Sequence, residues 1–275
     1  MRTEARPVSL DAAPRPARAT RPWRPSRAFT LQSLSILATL GAWELYGRSV
    51  DPIFLSYPSA IVSEVPRMLA TGELQKAFLA SIQTLAIGLA LAIAGGTLLG
   101  LLMGRYRTID HLLTVQISAL YSTPNISLIP LLILWFGLGN TSKIVIVFLA
   151  AFFPVIINTY AGVRNVSRGL VEVALAEGAN EFQILREIIV PASVPFIMTG
   201  IRLALGRGVV GMVAGEMFTA VSGLGGAIVI YSNAFATAKL FVIIIILALI
   251  GVSLTELFKL LERRAASWKE SERAD

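Results

Sequence analysis

Long apolar stretches alternate with short polar segments along the chain, and this alternation predicts a series of membrane-crossing helices. Six apolar stretches lie around residues 31–46, 78–103, 113–138, 144–162, from about 195 onward and 240–258. Crossing the hydrocarbon core of a bilayer takes roughly 20 apolar residues, and most of these stretches approach or exceed that length. The pattern therefore predicts an all-α polytopic membrane protein with about six transmembrane helices.

Glycines and prolines refine two of these predicted helices. Gly96, Gly100 and Gly104 recur at four-residue spacing in and just after the second stretch, which predicts a close approach by a neighbouring helix. Pro124 and Pro130 interrupt the third stretch, so we expect a kinked or broken helix there. The backbone carbonyls freed at such a break need protein or water as hydrogen-bond partners.

Composition supports a membrane protein and argues against nucleic-acid binding and cysteine-based sites. Hydrophobic residues make up 55% of the chain, charged residues only 15%, and the mean hydropathy is +0.71. The net charge of +7 could indicate nucleic-acid binding, but basic residues collect on the cytoplasmic side of membrane proteins, so we expect no nucleic-acid partner. Cysteine is absent, which excludes disulfides and thiolate metal sites, and we expect no bound metal.

The distribution of arginine predicts the domain organisation and the orientation. Residues 1–28 carry seven arginines together with many prolines and alanines, which predicts a disordered basic cytoplasmic tail rather than a signal peptide. Residues 29–262 would form the transmembrane domain, and residues 263–275 a cytoplasmic C-terminal tail. With six spans, the basic segment 105–111 and the charged segment 164–191 then also lie in the cytoplasm.

The segment of residues 164–191, called the polar segment below, contains the charged sequence EVALAEGANEFQILREIIVP. Ser167 is a suitable N-cap for a short helix over residues 168–177, and Gly178 supplies the left-handed residue that ends it. Asn180 and Gln183 have the spacing of a capping box that starts a second helix. We expect Pro191 to close that second helix.

Each of these two short helices has an apolar face. The faces comprise Leu170, Val173 and Ala174 on the first helix, and Phe182, Leu185 and Ile188 or Ile189 on the second. Residues three and four apart lie on one side of a helix, so these side chains predict an apolar ridge. The ridge could pack against the membrane domain of the same chain or dock into a groove of a soluble partner, and periodicity leaves both open.

The spacing within the polar segment resembles the EAA loop of the membrane subunits of binding-protein-dependent ABC importers. The matching positions are Glu172, Ala174, Gly178, Ile188 and Pro191. Val173 and Val190 depart from the alanine and leucine of that pattern, and both changes keep an apolar side chain. The likeness extends from about residue 54 to 268, where residues 123–144, 152–163 and 200–217 are similar to the nitrate, sulfonate and taurine permease group.

This resemblance implies a type I importer permease without catalytic activity. The residues that would dock the ATPase subunit are Glu172, Ala174, Gly178, Phe182, Ile188 and Pro191. The chain has no GxxxxGK[ST] phosphate loop, so no cofactor is expected on it, and ATP with magnesium would bind two copies of a separate ATPase subunit. A permease homodimer in the lipid of the bacterial inner membrane, with cytoplasmic termini, would receive solute from an extracytoplasmic binding protein.

Polar residues within the apolar stretches are candidates for the substrate pathway. They are Asn125, Ser127, Arg202, Arg207 and Glu216. Intramembrane charges usually face a cavity or one another, and Arg207 would suit an anion such as a sulfonate or nitrate. Arg202 and Glu216 lie 14 residues apart, about 21 Å along a helix, so each needs another partner or water. Structural ion pairs, snorkelling to water and backbone capping by the polar side chains are the alternative explanations.

The sequence is also compatible with other functions. Within the resembling group, importers of pyrimidines, thiamine precursors or riboflavin compete with importers of sulfonates, taurine or nitrate. A self-contained secondary transporter is a more distant alternative, in which the polar segment would be a surface loop. A membrane enzyme is disfavoured, because the apolar stretches contain no carboxylate pair, histidine cluster or serine nucleophile constellation. We interpret residues 222–228, SGLGGAI, as an outer loop with a re-entrant segment.

Overall fold

The computed structural model describes residues 27–219 and 221–265, which form helices and connecting turns without any β-strand. The helices are α1 (Arg27–Ser49), α2 (Pro58–Ala70), α3 (Glu73–Arg105), α4 (Arg107–Ser122), a 3₁₀ helix (Asn125–Leu128), α5 (Ile129–Phe136), α6 (Asn140–Arg164), α7 (Arg168–Ala176), α8 (Glu181–Gln183), a π-helix (Ile184–Ile189), α9 (Val190–Phe218), α10 (Gly223–Asn233) and α11 (Thr237–Ala265). The predicted all-α class is confirmed.

The number of helices able to cross a membrane is smaller than predicted. Among the described residues, four helical segments are long and apolar enough: α3, α6, the continuous run Glu181–Phe218, and Thr237–Glu262 of α11. A fifth is obtained if α4 and the segment Asn125–Phe136 count as one bent span. The stretch around residues 31–46 forms α1 but is not among these segments, because serine, threonine and glutamine dilute its apolar side chains. By length and composition the described residues thus contain four or five candidate spans, which is consistent with the predicted polytopic all-α class.

The chain divides into two compact units after Ala42. The first contains the beginning of α1, and the second contains everything from Trp43 onward, including the cavities and the polar segment. Most of the predicted N-terminal tail lies outside the described residues, although α1 already begins at Arg27. At the other end α11 continues to Ala265, three residues into the predicted C-terminal tail, whose remainder is also outside the described residues.

Helices α3, α6 and α9 pack together as the centre of the second unit. The predicted glycine stripe lies in this contact, where a Cβ atom added to Gly96 would be 2.9 Å from Val155 Cβ. One added to Gly100 would be 2.6 Å from Thr159 Cβ. Only glycine permits such an approach, so the stripe lets α3 lie directly against α6 along several turns. The predicted close packing is confirmed.

The predicted break in the third stretch is sharp. Helix α4 ends at Ser122, and the axis bends by 93° before the following helical segment. Pro124 precedes the 3₁₀ helix, whereas Pro130 lies in the first turn of α5 and starts a helix rather than kinking one. This difference has a simple cause, since a proline in the first helical turn removes no intrahelical hydrogen bond.

The pattern of apolar residues did not predict two of the helices. The stretch of residues 47–76 contains the amphipathic helix α2, which buries Ile61 and Met68 against α11. The glycine-rich residues 222–228 start the 11-residue helix α10 rather than a loop. Both helices are short and are stabilised by contacts with distant parts of the chain, which local periodicity does not encode.

Candidate functional site

The polar segment begins with α7 and turns sharply at Gly178. Gly178 has φ +85°, which confirms the predicted left-handed residue. Its N–H donates to the Leu175 carbonyl at 3.0 Å, while the Ala179 N–H donates to the Ala174 carbonyl at 2.9 Å. This pair of bonds is the Schellman motif, in which two unsatisfied carbonyls of the helix end receive donors. Ser167 does occupy the N-cap position of α7, but its hydroxyl makes no capping bond.

The second helix of the segment starts with the predicted capping box. The Gln183 N–H donates to Asn180 Oδ1 at 2.9 Å, and the Asn180 N–H donates to Gln183 Oε1 at 2.8 Å. The helix does not end at Pro191, however, and the expectation that Pro191 closes it is wrong. A π-helical turn over Ile184–Ile189 inserts an extra residue before Pro191, and the helix continues through Pro191 into α9.

One face of the polar segment packs against the membrane helices. Ile184 and Ile189 are 0% and 4% exposed and form a small core with Val163 of α6. Other residues that pack against this core are Leu101, Val166, Val171, Ala174, Ala179 and Leu185. Ala174 and Leu185 were expected on the exposed apolar ridge and instead pack on this inner face.

The opposite face remains open and apolar. Leu170, Val173 and Phe182 are 57%, 63% and 67% exposed, and we call these three residues the outer ridge. The sequence left two possibilities for the apolar side chains, packing within the chain or docking to a partner, and the structure is compatible with both, on different faces of the polar segment. One face is buried within the chain, and the other presents large apolar side chains that no described residue covers.

The predicted docking residues are distributed over both faces and the turn. Glu172, Gly178 and Phe182 are exposed, whereas Ala174, Ile188 and Pro191 are half-buried. An ion pair between Arg105, the last residue of α3, and Glu181 ties the second short helix to the membrane domain. Sequence reasoning missed this pair, which joins residues 76 positions apart.

A cavity of about 340 Å³ lies where α4 breaks, between that break and helices α6 and α9. Its lining residues are Tyr121, Ser122, Thr123, Pro124, Asn125, Ile126, Ile129, Ile146, Ala150, Pro154, Arg207, Val210, Gly211 and Ala214. Two of the predicted pathway residues, Asn125 and Arg207, therefore meet in one cavity. The buried Oδ1 of Asn125 has no hydrogen-bond partner, and Arg207 makes no ion pair with any residue in the described ranges.

The other three pathway candidates do not line this cavity. The hydroxyl of Ser127 donates to the Pro124 carbonyl at 2.6 Å and so caps backbone at the break. Arg202 pairs with Glu262 of α11. Arg202 and Glu216 thus each find a partner on another part of the chain, as their separation along one helix required.

Glu216 is 1% exposed and belongs to a buried polar cluster at the end of α9. Its carboxylate accepts hydrogen bonds from Ser81 Oγ at 2.8 Å and from the Gly225 N–H at 2.8 Å. Lys143, 2% exposed, donates to Ser222 Oγ, and its positive charge also acts on Glu216. The cluster fixes the start of α10 to α3, α6 and α9. The sequence alone did not indicate that Lys143 belongs to a buried cluster.

Comparison with known proteins decides the family. Residues 96–267 match the model of the binding-protein-dependent transport system inner membrane component, which covers more than half of the chain. The chain belongs to this family. It is therefore the permease subunit of an ABC importer, a multi-pass inner-membrane protein, and ATP hydrolysis is the task of a separate subunit.

Individual relatives of this permease are similar over most of their length. The taurine transport system permease protein of Escherichia coli is 30% identical over 253 residues, which are 90% of this chain and 92% of the relative. The protein assigned as the aliphatic sulfonates transport permease of Bacillus subtilis is 35% identical over 84% of this chain and 85% of its own. The riboflavin transport system permease protein of Chloroflexus aurantiacus is 38% identical, but over only 60% of this permease and 62% of its own chain.

The candidate site has two parts that can contact other molecules. Within residues 27–219 and 221–265, no group of three or more histidine, cysteine or acidic side chains could hold a metal ion. One part is the cavity that contains the guanidinium of Arg207, which has no ion-pair partner among the described residues. The other part is the apolar outer ridge on the polar segment.

Proposed function

We propose that this permease imports a small sulfonate-like anion, such as taurine or an alkanesulfonate, through a pathway that includes the 340 Å³ cavity. The observation that carries the proposal is the meeting of Arg207 and Asn125 in that cavity. A guanidinium without an ion-pair partner attracts an oxyanion and can donate two parallel hydrogen bonds to it. Taurine and aliphatic sulfonates also stand in the names of two relatives.

Asn125 adds a second element of recognition. Its Oδ1 is buried and lacks a donor, and a buried acceptor left unpaired costs free energy. A ligand that carries a donor group beside its anion, as the ammonium of taurine does, would satisfy this oxygen while Arg207 holds the sulfonate. The cavity volume lies at the lower end of the range of small-molecule sites, which suits such a compact solute.

The outer ridge supports docking to an ATPase subunit. The polar segment carries Glu172, Glu177, Arg186 and Glu187 in exposed positions, so lipid tails are not a suitable cover for Leu170, Val173 and Phe182. An apolar groove on a soluble subunit is a suitable cover. In this proposal two ATPase subunits bind ATP with magnesium, and their closure moves the docked segments and opens the cavity to a binding protein.

Orientation and assembly follow from the same proposal. The polar segment and both termini would lie in the cytoplasm, in agreement with the arginine distribution. One chain offers a single docking segment whereas the ATPases act as a pair, so we expect a permease homodimer in the membrane.

The pathway is tested by replacing Arg207. Uptake of labelled taurine is measured in cells that produce the permease with its ATPase and binding protein. Arg207→Gln removes a charge-assisted contact worth about 1.5–3 kcal/mol, so uptake should fall by about tenfold or more. Arg207→Lys should retain part of the uptake. Arg67→Gln, on the exposed surface of α2, is the matched control. Full uptake by Arg207→Gln at normal membrane abundance would contradict the proposal.

The substrate class is tested on the binding protein that delivers the solute. Calorimetric titration with taurine, an alkanesulfonate, nitrate, riboflavin and a thiamine precursor compares the candidate classes directly. We expect a sulfonate to bind most tightly. Selective binding of riboflavin or of a thiamine precursor would instead identify the alternative substrate group, and Arg207 would then need another role.

A further inference from the structure

A second cavity, of about 300 Å³, lies beneath the polar segment and is lined by arginine. Its charged lining residues are Arg105, Arg107, Arg164, Arg168 and Glu172. These side chains come from the end of α3, the start of α4, the end of α6 and the first turns of α7. The lining carries a net charge of +3, from four arginines and one glutamate. We call this space the arginine cavity.

The chain neutralises only part of this charge. Arg105 is paired with Glu181, yet its buried Nε has no hydrogen-bond partner. Arg107, Arg164 and Arg168 are exposed and form no ion pair with a described residue. Asp110 acts electrostatically on Arg164 but is bound by Thr114 and Tyr160. Several like charges around one cavity repel one another unless an anion lies between them.

The position and the donor set together indicate the anion. Guanidinium groups match the oxygens of phosphate with two parallel hydrogen bonds, and a phosphate accepts from several arginines at once. The cavity lies at the C-terminal ends of α3 and α6, two of the candidate spans, so in a membrane it would be near the level of the lipid headgroups. Basic pockets between helices at this level bind the phosphates of anionic lipids.

We propose that the arginine cavity binds a phosphate group, from an anionic lipid headgroup or from free phosphate. The bound phosphate bridges Arg164 at the end of α6 and Arg168 at the start of α7, and it thereby holds the polar segment against the membrane domain. This site is separate from the substrate cavity, because the two share no lining residue. The proposal does not depend on which solute is transported.

The test measures the thermal unfolding midpoint of the purified full-length permease in two arms. In the first arm, nanodiscs contain either phosphatidylcholine alone or phosphatidylcholine with phosphatidylglycerol. In the second, inorganic phosphate is titrated into permease in phosphatidylcholine nanodiscs, with chloride at equal ionic strength as the comparison. A ligand that binds only the folded state raises the midpoint, and the rise with concentration gives its affinity.

The variants locate the effect. The double variant Arg164→Gln with Arg168→Gln should bind the stabilising ligand at least about tenfold more weakly than the wild type, since each substitution removes a charge-assisted bond. Arg186→Gln is the matched control, because Arg186 is an exposed arginine of the same segment that does not line the cavity. It should retain wild-type affinity.

Each outcome has a defined meaning. Stabilisation by phosphatidylglycerol alone identifies a lipid headgroup, stabilisation by inorganic phosphate alone identifies a soluble phosphate, and both together support either source. Absence of stabilisation in both arms overturns the proposal, as does stabilisation that the double variant retains in full. Loss of ATPase co-purification by the double variant, with no ligand response in the wild type, would assign these arginines to the ATPase subunit and also overturn it.

Discussion

The two ends of α9 differ in the environment of their side chains: polar groups are buried and hydrogen-bonded at one end, whereas apolar and charged groups are exposed near the other. At the C-terminal end Glu216 is 1% exposed, and its carboxylate oxygens accept hydrogen bonds from Ser81 and the N-terminal amide of α10. At the N-terminal end Phe182 is 67% exposed, and Arg164 and Arg168 lack ion-pair partners among the described residues. At the first end the chain itself supplies the partners, whereas the second end presents an apolar side chain and charges that no described residue covers or pairs.

This difference indicates that the Glu216 end contributes mainly to stability and that the polar segment contributes mainly to coupling with the ATPase subunit. A buried polar cluster whose members are all partnered fixes one arrangement of the helices it joins. An open apolar ridge contributes little to folding but provides binding energy when a partner covers it. We therefore expect substitutions at the Glu216 end mainly to reduce stability, and substitutions in the polar segment mainly to reduce ATPase docking and uptake, with a smaller effect on stability.

The largest expected effect follows from removing Glu216. Glu216→Ala removes the negative charge that acts on buried Lys143 and leaves the Ser81 hydroxyl and the Gly225 N–H without their acceptor, at a cost of about 1–3 kcal/mol for each unpaired donor. Membrane abundance and the thermal midpoint of the purified protein should both fall. Glu216→Ala combined with Lys143→Met should recover part of the loss, because the uncompensated charge is then gone. If Glu216→Ala has normal stability, the buried cluster at the C-terminal end of α9 does not have the stabilising role that distinguishes it from the polar segment.

A smaller effect on stability, but a large one on transport, is expected at Gly178. Its φ of +85° is strained for a β-branched residue, so Gly178→Val costs about 1–2 kcal/mol at the turn and misplaces the outer ridge. Insertion into the membrane should survive, while ATPase co-purification and uptake fall together. Glu172→Lys should act similarly by reversing a charge beside the ridge.

Arg18→Ala, in the N-terminal tail, is the control for these two variants and should change nothing. Uptake, abundance and co-purification are measured for all three proteins. Full uptake by Gly178→Val at normal abundance would mean that the geometry of the polar segment does not couple the permease to its ATPase.

Local signals predicted much of this architecture. Apolar runs located α3, α6, α9 and α11, and the residues at the turn located Gly178 and the Asn180–Gln183 capping box. These features depend on neighbouring residues, so a single sequence contains them. The family and its motif were also readable from the polar segment, because the spacing of its residues is local.

Features that depend on distant pairing were not predictable. Lys143 meets Ser222 across 79 positions, and Arg202 meets Glu262 across 60. Helix α2 likewise depends on its contact with α11, which local periodicity does not show. Pro191 was misjudged for a different reason, since the π-helical turn before it absorbs an extra residue and allows the helix to continue.

The smallest expected perturbation, and the most direct test of the central claim, uses a photo-crosslinking amino acid in place of Phe182. The matched position is Leu257, an apolar side chain of α11 that is 57% exposed. Both substitutions leave buried contacts intact, so stability should not change. After irradiation of intact membranes that contain the permease with its ATPase, we expect a covalent adduct with the ATPase subunit from position 182 and none from position 257. An adduct from position 182 with lipid or with the extracytoplasmic binding protein, and not with the ATPase, would contradict the account.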